Sequence, residues 1–295
     1  MFAPSLQGEH KVRYDLTPLI ANPCPLAPGA RLLTRPPFPG NDKPMPRTRS
    51  NFTLAFGLWF HFWLVPITII GGSLTILFSY LDQSRRMLHR VARWWGRALL
   101  SVGRITVQVE GLEHLVPGRT YVYAANHRSN FDIFLLLAFL PGPFAFIAKK
   151  SLFRIPIFGQ SLHRMGCVPV DRENIQQAIR SLNLAAAIVK EGNSIAIFPE
   201  GTRTPSPRLI PFKKGVFIMA QRSGQPVAPV AISGTRFIQP RGTIRVKPGP
   251  VKIVIRPPLF PQNFRRKEDL MAAVFESIAA AYDPDFPYGT GKFNG

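Results

Sequence analysis

His127 and Asp132 stand five positions apart in the segment Asn126-His127-Arg128-Ser129-Asn130-Phe131-Asp132, between a short apolar run and a strongly apolar stretch. In an unbroken helix, residues five apart point about 140° away from each other. The two side chains can therefore meet only if the histidine lies in a connecting turn and the aspartate near a helix start. Ser129 with Asp132 has the spacing of a capping-box-like start, where a carboxylate gains from the helix dipole. An ionised partner then keeps one imidazole nitrogen protonated and leaves the other to take a proton from a hydroxyl. A base of this kind contributes about 10² to 10⁴ in rate. Taken alone, a loop histidine beside a capping aspartate satisfies the same pattern without chemistry.

Three further segments carry candidate groups. Lys149, Lys150 and Arg154 follow an apolar run at 144–148 and suit an anionic ligand, although a solvated pair of lysines fits the run as well. Glu200-Gly201-Thr202-Arg203 follows the run at 194–198. There a planar guanidinium beside a glycine and a hydroxyl fits a phosphate, and a structural Glu–Arg pair closing the loop is the competing reading. The fourth segment, 226–235, is an apolar strand pattern ending in Ser233-Gly234-Thr235 that could wall a site.

Several elements must position these groups. Short apolar runs at 105–109, 121–125, 144–148, 168–170, 194–198, 227–232 and 251–255 read as strands, with helical patterns at 131–140, 175–191, 213–222 and 268–282. Their alternation predicts an α/β domain over 104–295, with helices flanking a largely parallel core sheet. Before it, ten of the 30 prolines fall ahead of residue 47 and no helix or strand period survives, so residues 1–49 read as a basic, flexible tail.

Residues 50–81 contain no Asp, Glu, Lys or Arg. As one helix the run would reach ~48 Å, beyond the ~30 Å hydrocarbon thickness of a bilayer. Pro66 and the Gly71-Gly72 pair offer break points, so a tilted or kinked helix competes with a re-entrant hairpin. Arg86, Arg90, Arg93 and Arg97 then share one helical face while Leu88, Val91, Trp95 and Leu99 share another. This predicts either a helix lying among lipid headgroups or an arginine face over a protein core. Residues 50–103 form the expected membrane-embedding segment and basic amphipathic helix; for a single span the arginines after the apolar run put the domain that follows on the cytoplasmic face, and a hairpin would put both ends there.

A net charge of +21 favours anionic partners. A membrane-tethered nucleic-acid-binding protein is the non-enzymatic reading of that charge. The chain, however, lacks a recognition motif, and its basic residues cluster beside the apolar run rather than among stacking aromatics. No nucleic-acid partner is therefore expected. Two cysteines, Cys24 and Cys167, exclude a disulfide framework, and no histidine or cysteine cluster has metal-ligand spacing, so neither metal nor cofactor is expected. A Gly-x-Ser-x-Gly nucleophile elbow is also missing, and Cys167, in an apolar context, reads as packing rather than as a nucleophile with His163.

In their order and spacing, the four segments resemble the glycerolipid acyltransferases, specifically the 1-acyl-glycerol-3-phosphate acyltransferases, from about Gly111 to Pro257. The resemblance implies that His127 and Asp132 are the catalytic pair and that Lys149, Glu200, Gly201, Thr202 and Arg203, with Arg154 as an addition, bind the glycerol phosphate. The chain differs from the common family pattern at Arg128 and Ser151. The implied reaction moves an acyl chain from acyl-CoA or acyl-carrier protein to the sn-2 hydroxyl of lysophosphatidic acid at a membrane lipid bilayer, giving phosphatidic acid. Another lysophospholipid or an amino-lipid is the alternative acceptor.

Overall fold

The structure, a computed structural model, describes residues 50–81, 85–171 and 173–288. The expected tail at 1–49 lies outside the described residues. Helix α1 (Ser50–Phe78) runs unbroken through Pro66 and the glycine pair, so the chain does not turn back within the apolar run. It reverses afterwards, and α2 (Arg86–Val102) packs against α1. The pair is antiparallel: Trp95 Nε1 donates to Thr68 Oγ1 at 3.1 Å, while Arg104 lies over the Phe56 ring.

The apolar face of α2 is covered by protein. Leu88, Val91, Ala92, Leu99 and Leu100 are buried, and a Cβ on Gly96 would stand 2.7 Å from the carbonyl oxygen of Phe134 in α3 (Phe131–Phe139). The headgroup-lying reading of α2 is thereby corrected. Its amphipathic pattern is that of a helix on a protein core, leaving Arg86, Arg90 and Arg97 exposed.

Strands β1 (Ile105–Glu110), β2 (Val122–Ala125), β3 (Phe144–Lys149), β4 (Val168–Val170), β5 (Ser194–Ile197), β6 (Val227–Ser233) and β7 (Gly249–Ile255) form one sheet in the order β1-β7-β6-β2-β5-β3-β4. Helices α4 (Phe158–Arg164), α5 (Ile175–Lys190), α6 (Lys214–Ser223), α7 (Thr235–Ile238) and α8 (Lys267–Ala281) complete the domain. Every neighbouring pair is parallel except β6 and β7. A parallel return needs a crossover of a dozen or more residues, usually a helix. The stretch between β6 and β7, residues 234–248, is long enough for such a crossover but has only the single-turn α7 as helix, and β7 pairs antiparallel with β6.

Strands β2, β5 and β6 are buried at every position, which explains their continuous apolar runs. Because β2, β3, β5 and β6 run in the same direction, their carboxyl ends share one edge of the sheet, and the loops leaving that edge assemble the site.

Candidate active site

The loop after β2 is locked before it reaches α3. The Asn126 side chain continues the ladder toward β6, donating to the Ile232 carbonyl at 2.8 Å and accepting from the Ile232 amide at 2.7 Å. This fixes the backbone that carries His127. Asp132, fully buried in the first turn of α3, gathers three donors on a single oxygen: His127 Nδ1 at 2.8 Å, the Arg128 amide at 2.6 Å and the Ser129 amide at 2.8 Å. The Ser129 contact is one half of a capping box. The serine hydroxyl instead donates to the Gln239 carbonyl at 2.9 Å, tying this turn to the loop after α7.

A carboxylate can only accept, so Nδ1 is the donor in the His127–Asp132 bond, and in the neutral imidazole the lone pair is left on Nε2. The imidazole lies flat on Phe198, centroid to centroid 3.8 Å and 11° from parallel. Hydrogen bond and ring stacking together set its plane.

Glu200, 1% exposed, turns inward. Its carboxylate accepts from Arg128 Nη1 at 2.7 and 2.8 Å and from the His127 amide at 2.9 Å. Burial works against the Arg128 charge, but the Tyr282 hydroxyl and Glu200 outweigh it and hold its pKa above the ordinary value. Tyr282, just past α8, accepts from Arg128 Nε at 3.3 Å. The structural Glu pairing considered for this loop thus exists, with Arg128 rather than Arg203 as the partner.

Arg203 stands at the mouth. Its Nη1 donates to Asn130 Oδ1 at 2.8 Å, and its pKa is held below the ordinary value by burial and by the charge of Arg241, with Asp132 partly opposing. Gly201 makes the turn that brings it there: its φ of +72° is costly for any residue bearing a Cβ, and its amide returns to the Phe198 carbonyl at 2.9 Å. Thr202 borders the adjoining cavity.

Lys149 and Arg154 are exposed at the end of β3, which is separated from β2 by β5, a distance of about 10 Å at the usual strand spacing. The structure thus gathers His127, Asp132, Glu200 and Arg203 around one loop and leaves the two β3-end cations at the periphery. Cys167 is buried, its thiol pushed up to about 11 by burial, which suits packing.

Beside Phe198 opens a cavity of about 830 Å³, walled by Ile175, Ile179, Leu182, Ile210 and Val216, with Lys213 and Lys214 also lining it. Sequence reasoning passed over this cavity, together with Phe198, Asn130 and Tyr282. Phe198 reads as ordinary strand core, and Tyr282 lies far beyond the motif segments. The exposure of Ile175 and Ile179 on an otherwise amphipathic helix is the feature that marks the cavity.

The site thus sets a buried His–Asp pair at the carboxyl edge of a parallel sheet, beside a guanidinium that forms no ion pair among the described residues and a largely apolar cavity. The Acyltransferase family profile matches residues 106–233. The chain is 36% identical over 201 residues to a chloroplastic 1-acyl-sn-glycerol-3-phosphate acyltransferase of Brassica napus, covering 67% of this chain and 57% of that protein. It is 30% identical over 308 residues to the corresponding enzyme of Chlamydomonas reinhardtii, covering 97% and 91%. The crystal structure of the 1-acyl-sn-glycerophosphate acyltransferase PlsC from Thermotoga maritima superposes with a TM-score of 0.72 at 30% identity, covering 79% of this chain and 96% of that one. The chain belongs to the acyltransferase family, with 1-acyl-sn-glycerol-3-phosphate acyltransferases as its relatives. It spans little more than half the length of the plant chloroplastic relatives it matches.

Proposed function

We propose that the chain transfers an acyl group from an acyl thioester, of CoA or of a carrier protein, to the sn-2 hydroxyl of 1-acyl-glycerol 3-phosphate. His127 Nε2 takes the hydroxyl proton as the oxygen attacks the thioester carbonyl. Asp132 stabilises the imidazolium that forms, the tetrahedral intermediate expels the thiolate, and His127 returns the proton to sulfur. The products are phosphatidic acid and a free thiol, and no acyl-enzyme is required because the acceptor supplies the nucleophile. The observation that carries this reading is the 2.8 Å bond from His127 Nδ1 to a carboxylate oxygen already held by two backbone amides. Arg203 would hold the phosphate of the acceptor, and the cavity beside Phe198, of ordinary ligand size, would take the acyl chain of the donor. Glu200 serves by fixing Arg128 and the His127 backbone. Gly201 and Thr202 shape the phosphate loop, and Lys149 and Arg154 meet anionic parts of the donor or membrane.

The membrane enters through α1. One side packs on the domain, with Phe60 only 1% exposed and 5.0 Å from the Phe131 ring, while Phe52, Leu58, Trp59, Phe62, Val65 and Ile70 face outward. A helix held against the domain in this way would bury its outer face in the nearer leaflet, where the acyl chain of the acceptor resides. The exposed arginines of α2 favour the cytoplasmic face. The test is thiol release from an acyl thioester by the purified chain in vesicles. Release should require 1-acyl-glycerol 3-phosphate and fall at least about 100-fold in His127→Ala. Release that ignores the acceptor, or that persists in the variant, would contradict the reading.

A further inference from the structure

Beyond the family-profile match at 106–233, the loop joining α7 to β7 reaches back to the site. Its base is anchored on both sides. Ser129 Oγ, in the His–Asp turn, donates to the Gln239 carbonyl at 2.9 Å, and the Lys247 amide donates to the Ile238 carbonyl at 2.8 Å. The Gln239 side chain, 5% exposed, spans the loop to the Thr243 carbonyl at 3.2 Å. At its tip Arg241 sends Nη1 to the carbonyl oxygen of Arg203 at 2.8 Å. Arg203 in turn is held by Asn130, two residues before Asp132.

Two guanidiniums therefore converge on the site mouth from loops with independent anchors, and among the described residues neither forms an ion pair with a carboxylate. Each uses one Nη1 hydrogen bond, on an uncharged oxygen, and retains Nε and Nη2 as donors. Like charges brought together repel: Arg241 adds to burial, the larger cause, in lowering the pKa of Arg203, and Asp132 only partly opposes them. The arrangement lacks an anion that can accept from two planar forks at once. A phosphate monoester, carrying about −1.5 to −2 charges near neutral pH and three terminal oxygens, supplies one. A phosphodiester carries a single charge and two free oxygens.

We propose that Arg241 is a second phosphate-binding residue, which with Arg203 clamps the terminal phosphate monoester of the acceptor and selects it over phosphodiester lysolipids. This rests on the acceptor reading above and goes further, because it names the residue that sets the charge preference.

The experiment measures calorimetric binding of a soluble short-chain 1-hexanoyl-glycerol 3-phosphate to the full chain in detergent, alongside steady-state acyl transfer to 1-acyl-glycerol 3-phosphate and to 1-acyl-glycerophosphoglycerol. Arg241→Gln should weaken binding of the monoester about tenfold and raise its KM similarly, with kcat nearly unchanged. It should change diester kinetics less than twofold. In the wild type, monoester affinity should decline as pH falls below about 6, where the phosphate takes up a proton, and that decline should flatten in Arg241→Gln. Arg241→Lys should restore part of the affinity, a recovery that a purely structural loop residue would not produce. Unchanged monoester binding in Arg241→Gln, equal losses for monoester and diester, or a wild-type chain that does not bind the monoester would each overturn the proposal. The acyl-transfer reading fails separately: a chain that binds the monoester through Arg241 yet transfers no acyl group would retain the clamp and lose the reaction.

Discussion

Arg128 directly follows His127 and Arg203 stands three residues after Glu200, and the two guanidiniums have opposite electrostatic situations. Arg128 is 2% exposed and matched: Glu200 on Nη1, Tyr282 on Nε and the Arg208 carbonyl on Nη2. Arg203 is partly exposed, meets one neutral amide oxygen, and has another cation beside it. A charge whose donors are filled inside the protein is structural, whereas one left with free donors at an opening awaits a ligand. In the proposed reading the same carboxyl edge of the sheet holds a rigid base and an anion site, and the Glu-Gly-Thr-Arg loop contributes Glu200 to the first and Arg203 to the second.

Variants at Glu200 should separate the two regions most strongly. Glu200→Ala leaves Arg128 buried without its counter-charge, which costs about 3–5 kcal/mol, and thermal melting should show a large loss of stability. Replacing both members, Arg128→Met with Glu200→Leu, should recover much of that stability. Activity should stay low, because the His127 amide has lost its acceptor. Arg203→Ala should instead leave the melting temperature nearly unchanged while raising the acceptor KM about tenfold. Should the two variants exchange these behaviours, the division between scaffold and anion site would be wrong.

His89 supplies a smaller test of the same rule. It is buried in α2 beside Arg93, and burial first, then that neighbouring charge, lower its pKa to about 4. The unfolded chain therefore takes up this proton near pH 6.5 while the folded chain resists until about 4. The contribution of His89 to stability is complete above 6.5 and is lost as pH falls through 4, at most about 3 kcal/mol. Melting followed from pH 7 to 4.5 should show a smaller decline in His89→Gln than in the wild type. An identical decline would remove His89 from the account.

The sheet was legible in the sequence because β2, β5 and β6, buried throughout, are written as nearly continuous apolar runs while β1 and β7 alternate, and each of the runs from 105–109 to 251–255 coincides with a strand. Helix α4 was not, since its seven residues are too few for a 3.6-residue period to show. Direction is also invisible in a run such as 251–255, which pairs antiparallel with β6 on one side and parallel with β1 on the other. At the site, His127 and Asp132 could be paired on paper because their spacing demands a turn. The role of Glu200 could not be read there, since a loop carboxylate beside Arg203 suggests a local pair, while its actual partner, Arg128, lies 72 positions away in sequence. Tyr282 and Arg241 reach the site through tertiary packing alone.

The convergence of three donors on one Asp132 oxygen allows the charge of that residue to be tested without disturbing its geometry. In Asp132→Asn the amide oxygen can accept from His127 Nδ1 and both backbone amides, so the histidine keeps its orientation and tautomer while the negative charge disappears. Turnover by the purified variant, with folding checked by melting, is the most direct measurement. An imidazolium stabilised by that charge predicts a fall in kcat of at least about 100-fold with a fold that remains intact. A kcat within about twofold of the wild type would contradict the assignment of His127 as a base supported by Asp132.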